Sequence, residues 1–211
     1  MRIIGIDPGS RSTGYGILDS EGPKLHHVAS GFVQCGAGDW PDRLLTIFDA
    51  LGELIRIHAP QEFAIEKVFV HRNVASALKL GQARGVAILA GATHSLGVHE
   101  YSPNEIKQAV SGRGHASKQQ IQHMIRMLLS LPEPLQADRA DALATAICHA
   151  HRRTSFAMRA RLAIACEKEK GGEASQGEEG RDSEPSKAPP SSYRRRANHR
   201  SRKARAIEVN E

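Results

Sequence analysis

Short apolar runs alternate with longer amphipathic stretches over most of the chain. Five of the runs have the length and the bounding turn residues of β-strands, and they lie at 2–7, 14–18, 27–34, 63–69 and 98–101. The first three follow one another closely, with a turn at Ser20–Pro23 between the second and the third. Such close succession favours an antiparallel meander, because a short turn can join antiparallel strands but not parallel ones.

The stretches between and after these runs have the periodicity or the end signals of helices. Apolar residues recur at helical spacing within 41–58, and a long segment rich in Ala, Leu and Gly follows at 73–96. Ser102 and Ser117 are each followed three residues later by Glu or Gln, the signature of a capping box at the start of a helix. A last helix is predicted over 136–151. The whole pattern predicts an α/β fold with a mixed five-stranded sheet flanked by helices.

Composition changes sharply near Glu167. From there to the end the chain is Gly, Ser, Pro, Glu, Lys and Arg with almost no aliphatic side chains, so it cannot bury enough apolar surface to offset its ordering entropy. We therefore predict one folded domain over 1–160 and a disordered charged tail over 167–211, acidic in its first part and basic at its end. Two interpretations of the tail stay open, a solvated segment and a non-specific nucleic-acid arm.

Charge and cysteine content bear on partners and compartment. The formal net charge of +6 and the isoelectric point near 9.5 favour a polyanionic partner. Cys35, Cys148 and Cys166 have neither CxxC nor zinc-type spacing and are interpreted as reduced thiols in a reducing compartment. The first strand begins almost at Met1, which argues against a secretory leader, and no apolar run is long enough to cross a membrane. We expect a cytoplasmic protein.

Four acidic residues lie in segments that otherwise look buried, and we call Asp7, Glu66, Asp138 and Asp141 the acidic quartet. Asp7 ends the first strand, Glu66 interrupts the fourth, and the other two are three residues apart on one face of the final helix. A carboxylate in an apolar setting is costly unless it is paired or bound to a metal. Hard oxygen ligands without His or Cys favour Mg²⁺ or Mn²⁺. The quartet therefore predicts one cation site, large enough for two ions about 3.5–4 Å apart.

Three of the acids also have an ordinary explanation, whereas Asp141 in its Ala-rich helix does not. Asp7 could start the turn at Pro8–Gly9, Glu66 could be an edge-strand charge, and Asp138 could stabilise the N-terminus of its helix. The joint pattern favours the shared site over these separate explanations. Such a site requires that the first and fourth strands be neighbours, with both acidic side chains on the same face or edge of the sheet.

The acids lie within four motifs, which are Ile4–Ser10 with Thr13–Gly16, Ile65–Phe69, Ser76–Gly85 and Gln136–Ala144. Together these motifs resemble those of the RuvC family, the Holliday-junction resolvases of the RNase H-like superfamily. The third motif is long and specific. The resemblance extends to about residue 155 and leaves the tail without a counterpart.

The resemblance implies an RNase H-like fold and a Mg²⁺-dependent endodeoxyribonuclease that resolves four-way DNA junctions by paired symmetric nicks during recombination and repair. It places the family's catalytic and metal-binding carboxylates on the acidic quartet, its junction-contacting aromatic on Phe69, and its DNA-contacting lysines on Lys107 and Lys118. It also implies two Mg²⁺ ions per active site, with Mn²⁺ as a substitute, and partners of the RuvA and RuvB branch-migration type. Two symmetric nicks require a two-fold homodimer, for which the small residues of 73–96 make that helix the candidate interface.

Two other functions stay open. Gly5–Ser10 resembles the phosphate loop of actin-like and sugar-kinase ATPases, although those proteins need two such domains. A junction-binding module without cleavage is the second alternative, and the presence of the whole acidic quartet disfavours it. Phe69 taken alone is more often a core residue, and Lys107 and Lys118 would usually be solvated charges. Mg²⁺-dependent cleavage separates a nuclease from both alternatives.

Overall fold

The computed structural model describes residues 1–36, 38–67, 73–114, 116–131 and 135–173, with the backbone alone at 157 and 159–173. Its strands are β1 (Arg2–Asp7), β2 (Ser12–Glu21), β3 (Lys24–Gln34), β4 (Glu62–Glu66) and β5 (Val98–Tyr101). They form one sheet in the order β3-β2-β1-β4-β5. The first three strands are antiparallel neighbours, whereas β4 runs parallel to both β1 and β5. The predicted meander and mixed five-stranded sheet are confirmed, and β1 is the central strand.

Five helices lie among the described residues. They are α1 (Trp40–His58), α2 (Val74–Thr93), α3 (Pro103–Ser111), α4 (Lys118–Leu129) and α5 (Ala137–Glu173). Both predicted capping boxes are present, with Ser102 paired to Glu105 at the start of α3 and Ser117 paired to Gln120 at the start of α4. Each box satisfies backbone N–H groups that the first turn of a helix leaves without partners, so the sequence defines both starts.

Several predicted boundaries are wrong. β2 spans Ser12–Glu21 rather than 14–18, and β3 begins at Lys24 rather than at residue 27. β4 ends at Glu66 rather than at residue 69, and α2 ends at Thr93 rather than at residue 96. The last helix does not end at 151 but continues to Glu173. The reason for the longer helix is compositional, because 152–170 is rich in Ala, Leu, Arg, Lys and Glu and contains neither Pro nor Gly.

Two apolar clusters fill the two faces of the sheet. One face packs against α3, α4 and α5 and is lined from the sheet by Ile3, Leu18 and Ala64. The opposite face packs against α1 and α2 and is lined from the sheet by Ile4, Ile6, Ile17, Phe63 and Ile65. The alternation of side chains along β1 and β4 sends neighbouring residues to opposite clusters. The result is a three-layer arrangement with helices on both faces of the sheet.

Two glycines of the central strands let α5 lie directly on the sheet. A Cβ on Gly5 would be 2.6 Å from the backbone nitrogen of Ala146, and a Cβ on Gly14 would be 2.9 Å from the carbonyl carbon of Asp138. Both distances are too short for a carbon atom, so a larger residue would push the helix away. Because Gly14 is also the register partner of Asp7, the start of α5 is held beside the end of β1.

The chain divides into two units, Met1–Lys168 and Glu169–Glu211, and the sheet belongs to the first. The tail predicted over 167–211 begins within α5, and its remainder from 174 onward lies outside the described residues. The predicted domain boundary at 160 therefore stays a prediction. None of the described helices is long and apolar enough to cross a membrane.

Candidate active site

Asp7 and Glu66 end two neighbouring parallel strands. The β1–β4 register pairs Gly5 with Ala64 and Ile6 with Ile65, so the two acids are the next residues on each strand. Asp7 is two residues after Gly5, and Glu66 is two residues after Ala64, so each acid lies on the same face of its strand as the small residue before it. Both small residues face α5. The two carboxylates therefore leave the same face of the sheet at the same end, which is the arrangement that a shared cation site requires.

Asp138 and Asp141 come to this end of the sheet on the first turns of α5. Gly14 admits the backbone of Asp138, and the Ser12 hydroxyl at the start of β2 donates a hydrogen bond to the Asp138 carboxylate. Asp141 lines a cleft of about 300 Å³ together with Glu66. All four acids are half-buried. The structure thus brings together the whole acidic quartet from three separate elements.

Burial and mutual repulsion raise the pKa values of three of these carboxyls. Desolvation, followed by the charges of Asp141, Glu66 and Asp138, raises the pKa of Asp7 to about 8. Desolvation is also the largest cause of the raised pKa of Glu66 and of the raised pKa of Asp141. Each shift means that negative charge is disfavoured here unless a cation offsets it. The carboxylates and their electrostatics together indicate a site for positive charge.

Two lysines border the quartet. Lys107 of α3 and Lys118 of α4 line the same cleft as Glu66 and Asp141. Their positive charges lower the pKa values of Glu66 and Asp141, in opposition to the desolvation that raises them. A cleft lined by both carboxylates and ammonium groups can hold cations and phosphate oxygens side by side.

Arg84 supports the site in a way that sequence reasoning missed. Its Nε donates a hydrogen bond of 3.2 Å to the backbone carbonyl of Glu66, and its Nη2 forms an ion pair of 2.9 Å with Glu100 on β5. The guanidinium therefore fixes the end of β4 from α2. The one signal in the sequence was its place within the motif Ser76–Gly85. Ser12 gave no signal at all, because its contact with Asp138 spans 126 positions.

No three ligand atoms of the quartet, all of whose members the structure describes, lie within 4.8 Å of one another. Within the described residues, the group that meets this distance is Glu62, His99 and His149. Mg²⁺ usually takes only one or two carboxylates and completes its octahedron with water and phosphate oxygens, so it does not need three convergent side chains. The donor set of the quartet, which is entirely carboxylate, still fits Mg²⁺ or Mn²⁺.

The remaining predicted site residue, Phe69, lies outside the described residues. The sequence around His149 has no spacing typical of a metal site. The side chain is almost fully buried and lies beside Glu62 and His99, a grouping that no sequence spacing could reveal. Cys35 and Cys148 are free and buried.

Comparisons with known proteins agree on one family. The family model described as crossover junction endodeoxyribonuclease RuvC matches residues 3–149. The curated protein of that name from Marinobacter nauticus is 54% identical over 159 residues, which cover 75% of this chain and 91% of the relative. Its counterpart from Shewanella piezotolerans is 53% identical over 155 residues, which cover 74% of this chain and 90% of the relative.

A solved structure of T. thermophilus RuvC in complex with a Holliday junction substrate has the same fold. It superposes with a TM-score of 0.70 at 30% sequence identity, over 74% of this chain and 96% of that one. The residues matched by the family model include most of β1, all of β4 and the start of α5, where the acidic quartet lies. The chain belongs to the RuvC family of crossover junction endodeoxyribonucleases.

Proposed function

We propose that this chain is a divalent-metal-dependent, structure-selective endodeoxyribonuclease that resolves four-way DNA junctions by paired symmetric nicks in recombination and repair. The observation that carries the proposal is the meeting of the acidic quartet at one end of β1, β4 and α5. Membership of the RuvC family supplies the substrate class, because the relatives are named for crossover junctions and one of them is solved with a Holliday junction.

The acidic quartet would hold the metal, with Asp7 on the central strand as the residue best placed to be shared between two ions. Mg²⁺ fits the all-oxygen donor set, and Mn²⁺ would fit it as a substitute. Two such ions supply Lewis-acid activation of a water and stabilisation of the leaving 3′-oxygen in phosphodiester hydrolysis. Two other side chains position the acids. The Ser12 hydroxyl donates a hydrogen bond to the Asp138 carboxylate, and Arg84 donates one to the backbone carbonyl of Glu66.

Lys107 and Lys118 would bind phosphates of the DNA beside the cut. They line the cleft that holds Glu66 and Asp141. Lys118 is also the first residue of α4, where backbone N–H groups favour a phosphate. A separate, larger cleft of about 980 Å³ lies at the start of α4 and is lined by residues such as Arg113, Ser117 and Gln120. Its lining would extend the DNA surface beyond the scissile phosphate.

Phe69 is proposed as the aromatic that contacts the junction. β4 has already ended at Glu66, so strand alternation does not fix the direction of a side chain three residues later. An aromatic ring that stacks on an unpaired base at the crossover gains roughly 1–3 kcal/mol per base. A continuous duplex offers no such base, so this contact would favour junctions.

The proposed homodimer would form through one face of α2. Val74, Leu78 and Leu89 are large apolar residues of this helix that are exposed, and Gly81 and Gly85 have open space where a Cβ would be. At 3.6 residues per turn these five positions share one face, opposite the buried Ala83 and Ala87. We call them the α2 stripe. It would let two copies approach closely and place one active site on each side of a two-fold axis.

The proposal also covers the cellular compartment and the partner proteins of the chain. The free, buried thiols of Cys35 and Cys148 fit a reducing compartment, so we propose that the protein acts in the cytoplasm. Branch-migration partners of the RuvA and RuvB type would deliver junctions to it.

Cleavage of a synthetic four-way junction tests the function directly. With Mg²⁺, the full chain should make symmetric nicks in the junction and leave a linear duplex of the same sequence intact. Without Mg²⁺ it should bind the junction but not cut it. Asp7→Asn should keep junction binding and lower single-turnover cleavage by at least about 100-fold, since even the loss of an outer-shell partner costs 10–100-fold at metal sites.

Asp49→Asn is the matched control, because Asp49 is exposed on α1, on the opposite side of the sheet from α5. Junction cleavage at the wild-type rate by Asp7→Asn would exclude this site. Nucleotide hydrolysis without DNA cleavage would favour the ATPase alternative, and binding without cleavage would favour the binding module.

A further inference from the structure

A second cluster of ligand-type side chains lies at the other end of the same β4–α5 contact. Glu62 begins β4, His99 is on β5 and His149 is on α5. Glu62 is four residues before Glu66 on the same face of β4, a separation of roughly 13 Å. His149 follows Asp141 by eight residues on α5, roughly 12 Å along the helix axis. The cluster is therefore distinct from the acidic quartet.

The geometry of the cluster is that of a small coordination site. The Nε2 atom of His99 is 2.8 Å from Oε2 of Glu62, and the Nε2 atom of His149 is 3.8 Å from the same oxygen. These three ligand atoms all lie within 4.8 Å of one another, and the two imidazole rings have centroids 4.5 Å apart. Three donors at such spacing can contact one ion with bonds of about 2.0–2.2 Å.

His149 has the surroundings of a metal ligand. Its side chain is 1% exposed, and its Nδ1 is bonded to the Tyr101 hydroxyl at 2.7 Å. Its Nε2 is buried and has no hydrogen-bond partner, although it points toward Glu62. A buried ring nitrogen left unpaired is unfavourable, and metal-bound histidines characteristically have their other nitrogen fixed in this way. An ion at Nε2 would satisfy the atom that the protein leaves unsatisfied.

The surroundings of Glu62 and His99 also suit metal binding. Arg153 binds Oε1 of Glu62 at 3.2 Å and leaves Oε2 to face the imidazoles. Burial, with the neighbouring His99, lowers the pKa of His149 to about 4, so its ring is neutral at neutral pH, which is the state that can coordinate a metal. The side chain of His99 is 38% exposed, which gives an ion a path from solvent.

We propose that Glu62, His99 and His149 form a binding site for one zinc-class divalent ion, separate from the acidic quartet and independent of the nuclease proposal. Two imidazoles and one carboxylate suit Zn²⁺ and disfavour Mg²⁺, which prefers oxygen ligands alone. The ion would tie together β4, β5 and α5, and so stabilise the end of the fold remote from the proposed active site.

Metal titration of the full chain tests the proposal. The protein is first stripped of metal with a chelator. It is then titrated with Zn²⁺ and, in parallel, with Co²⁺ as a spectroscopic probe. Excess Mg²⁺ is present in both titrations to occupy the acidic quartet. Wild type should bind one ion per chain with a Co²⁺ spectrum of nitrogen and oxygen ligands, and its melting temperature should rise. His99→Gln and Glu62→Gln should each weaken binding at least about tenfold, since even outer-shell changes cost 10–100-fold.

His123→Gln is the matched control, because His123 is exposed on α4 away from the cluster. It should bind as wild type does. Tyr101→Phe removes only the hydroxyl that fixes His149 and should also weaken binding. Thermal melts in chelator check that each variant folds. If Glu62→Gln fails to fold, His99→Gln still tests the site, because His99 is half-exposed and its replacement disturbs the core less. Equal Zn²⁺ affinity in wild type and His99→Gln, or no Zn²⁺ effect on wild type, would overturn the site.

Discussion

Asp7 shows how burial and like charge act together on one residue. Its backbone is an ordinary strand end, but its carboxyl is enclosed by α5 and faces three other acids. The resulting pKa of about 8 lies far above the usual value of 3.8, so the folded protein holds a proton there that the unfolded chain releases. A residue in this position lowers stability when it is charged, so a bound cation would offset that cost.

The raised pKa predicts a pH-dependent effect of Asp7→Asn on the metal-free protein. Because the folded pKa exceeds the unfolded one, the stability that Asp7 contributes is present below about pH 4 and lost as the pH rises through about 8. Asparagine does not titrate, so the melting-temperature advantage of the variant should grow between these two values. Thermal melts in chelator from pH 4 to pH 9 measure it. Asp49→Asn should show no such trend, and a pH-independent difference for Asp7→Asn would contradict the assignment.

The two lysines that line the cleft predict a salt effect on DNA binding. Lys107→Ala and Lys118→Ala should each weaken junction binding and reduce the slope of log K against log salt by roughly one counterion. Affinity measured over a series of salt concentrations gives the slope. Lys24→Ala is the matched control, because Lys24 is exposed at the start of β3, at the opposite end of the sheet. Unchanged slopes for both lysine variants would remove these lysines from the DNA surface.

At the scale of elements, the decisive contact is that of α5 with the central strands. Gly5 and Gly14 bring the helix backbone close to the sheet, and this closeness places Asp138 beside the end of β1. The helix therefore serves the core and the site with neighbouring residues. Ala142, Leu143 and Ala146, which follow the two acids along the helix, fill the core.

Gly14→Ala should damage the site more than the fold. The added methyl would overlap the backbone of Asp138, and overpacking of this kind costs about 1–3 kcal/mol of the free energy of unfolding. Since the strain is relieved by moving the start of α5, cleavage should fall well beyond the loss of folded protein. Urea unfolding and single-turnover cleavage on the same samples separate the two effects.

Gly52→Ala is the control for the glycine prediction. It lies within α1, where a Cβ would make only ordinary contacts, the nearest at 3.4 Å from His94. The substitution should stabilise the protein by about 0.5–1 kcal/mol and leave cleavage unchanged. Equal losses of stability and activity in Gly14→Ala would show that the glycine serves folding alone.

At the scale of the whole molecule, the proposed paired nicks would require a second copy of the chain. The α2 stripe lies on the side of the sheet opposite α5, so a dimer formed through it would leave both acidic sites open to DNA. The leucines of the stripe are more than half exposed in the single chain, which is unfavourable unless another surface covers them.

Leu78→Glu should convert the proposed dimer into a monomer. Light scattering after size-exclusion chromatography measures the mass, and the variant should make single nicks where the wild type makes two. Met127→Glu introduces the same charge at a side chain that is 67% exposed on α4, the opposite side of the sheet from α2, and should leave the mass unchanged. A wild-type mass for Leu78→Glu would exclude this face as the interface.

The sequence by itself determined the strands, most helix starts and the chemistry of the site. Periodicity placed β1 and β5 at their observed bounds, and two capping boxes marked α3 and α4, because these signals depend on residues only a few positions apart. The acidic quartet was recognisable because charge in an apolar segment is costly wherever the chain folds. The end of α5 was missed because its continuation contains no residue that stops a helix.

Only the tertiary structure decided how distant residues meet. The parallel pairing of β1 with β4 puts Asp7 beside Glu66, and the approach of α5 over Gly14 brings in Asp138. The grouping of Glu62, His99 and His149 was invisible in the sequence, where they are separated by 37 positions or more. Strand order and helix packing bring such residues together through long-range contacts that no local pattern encodes.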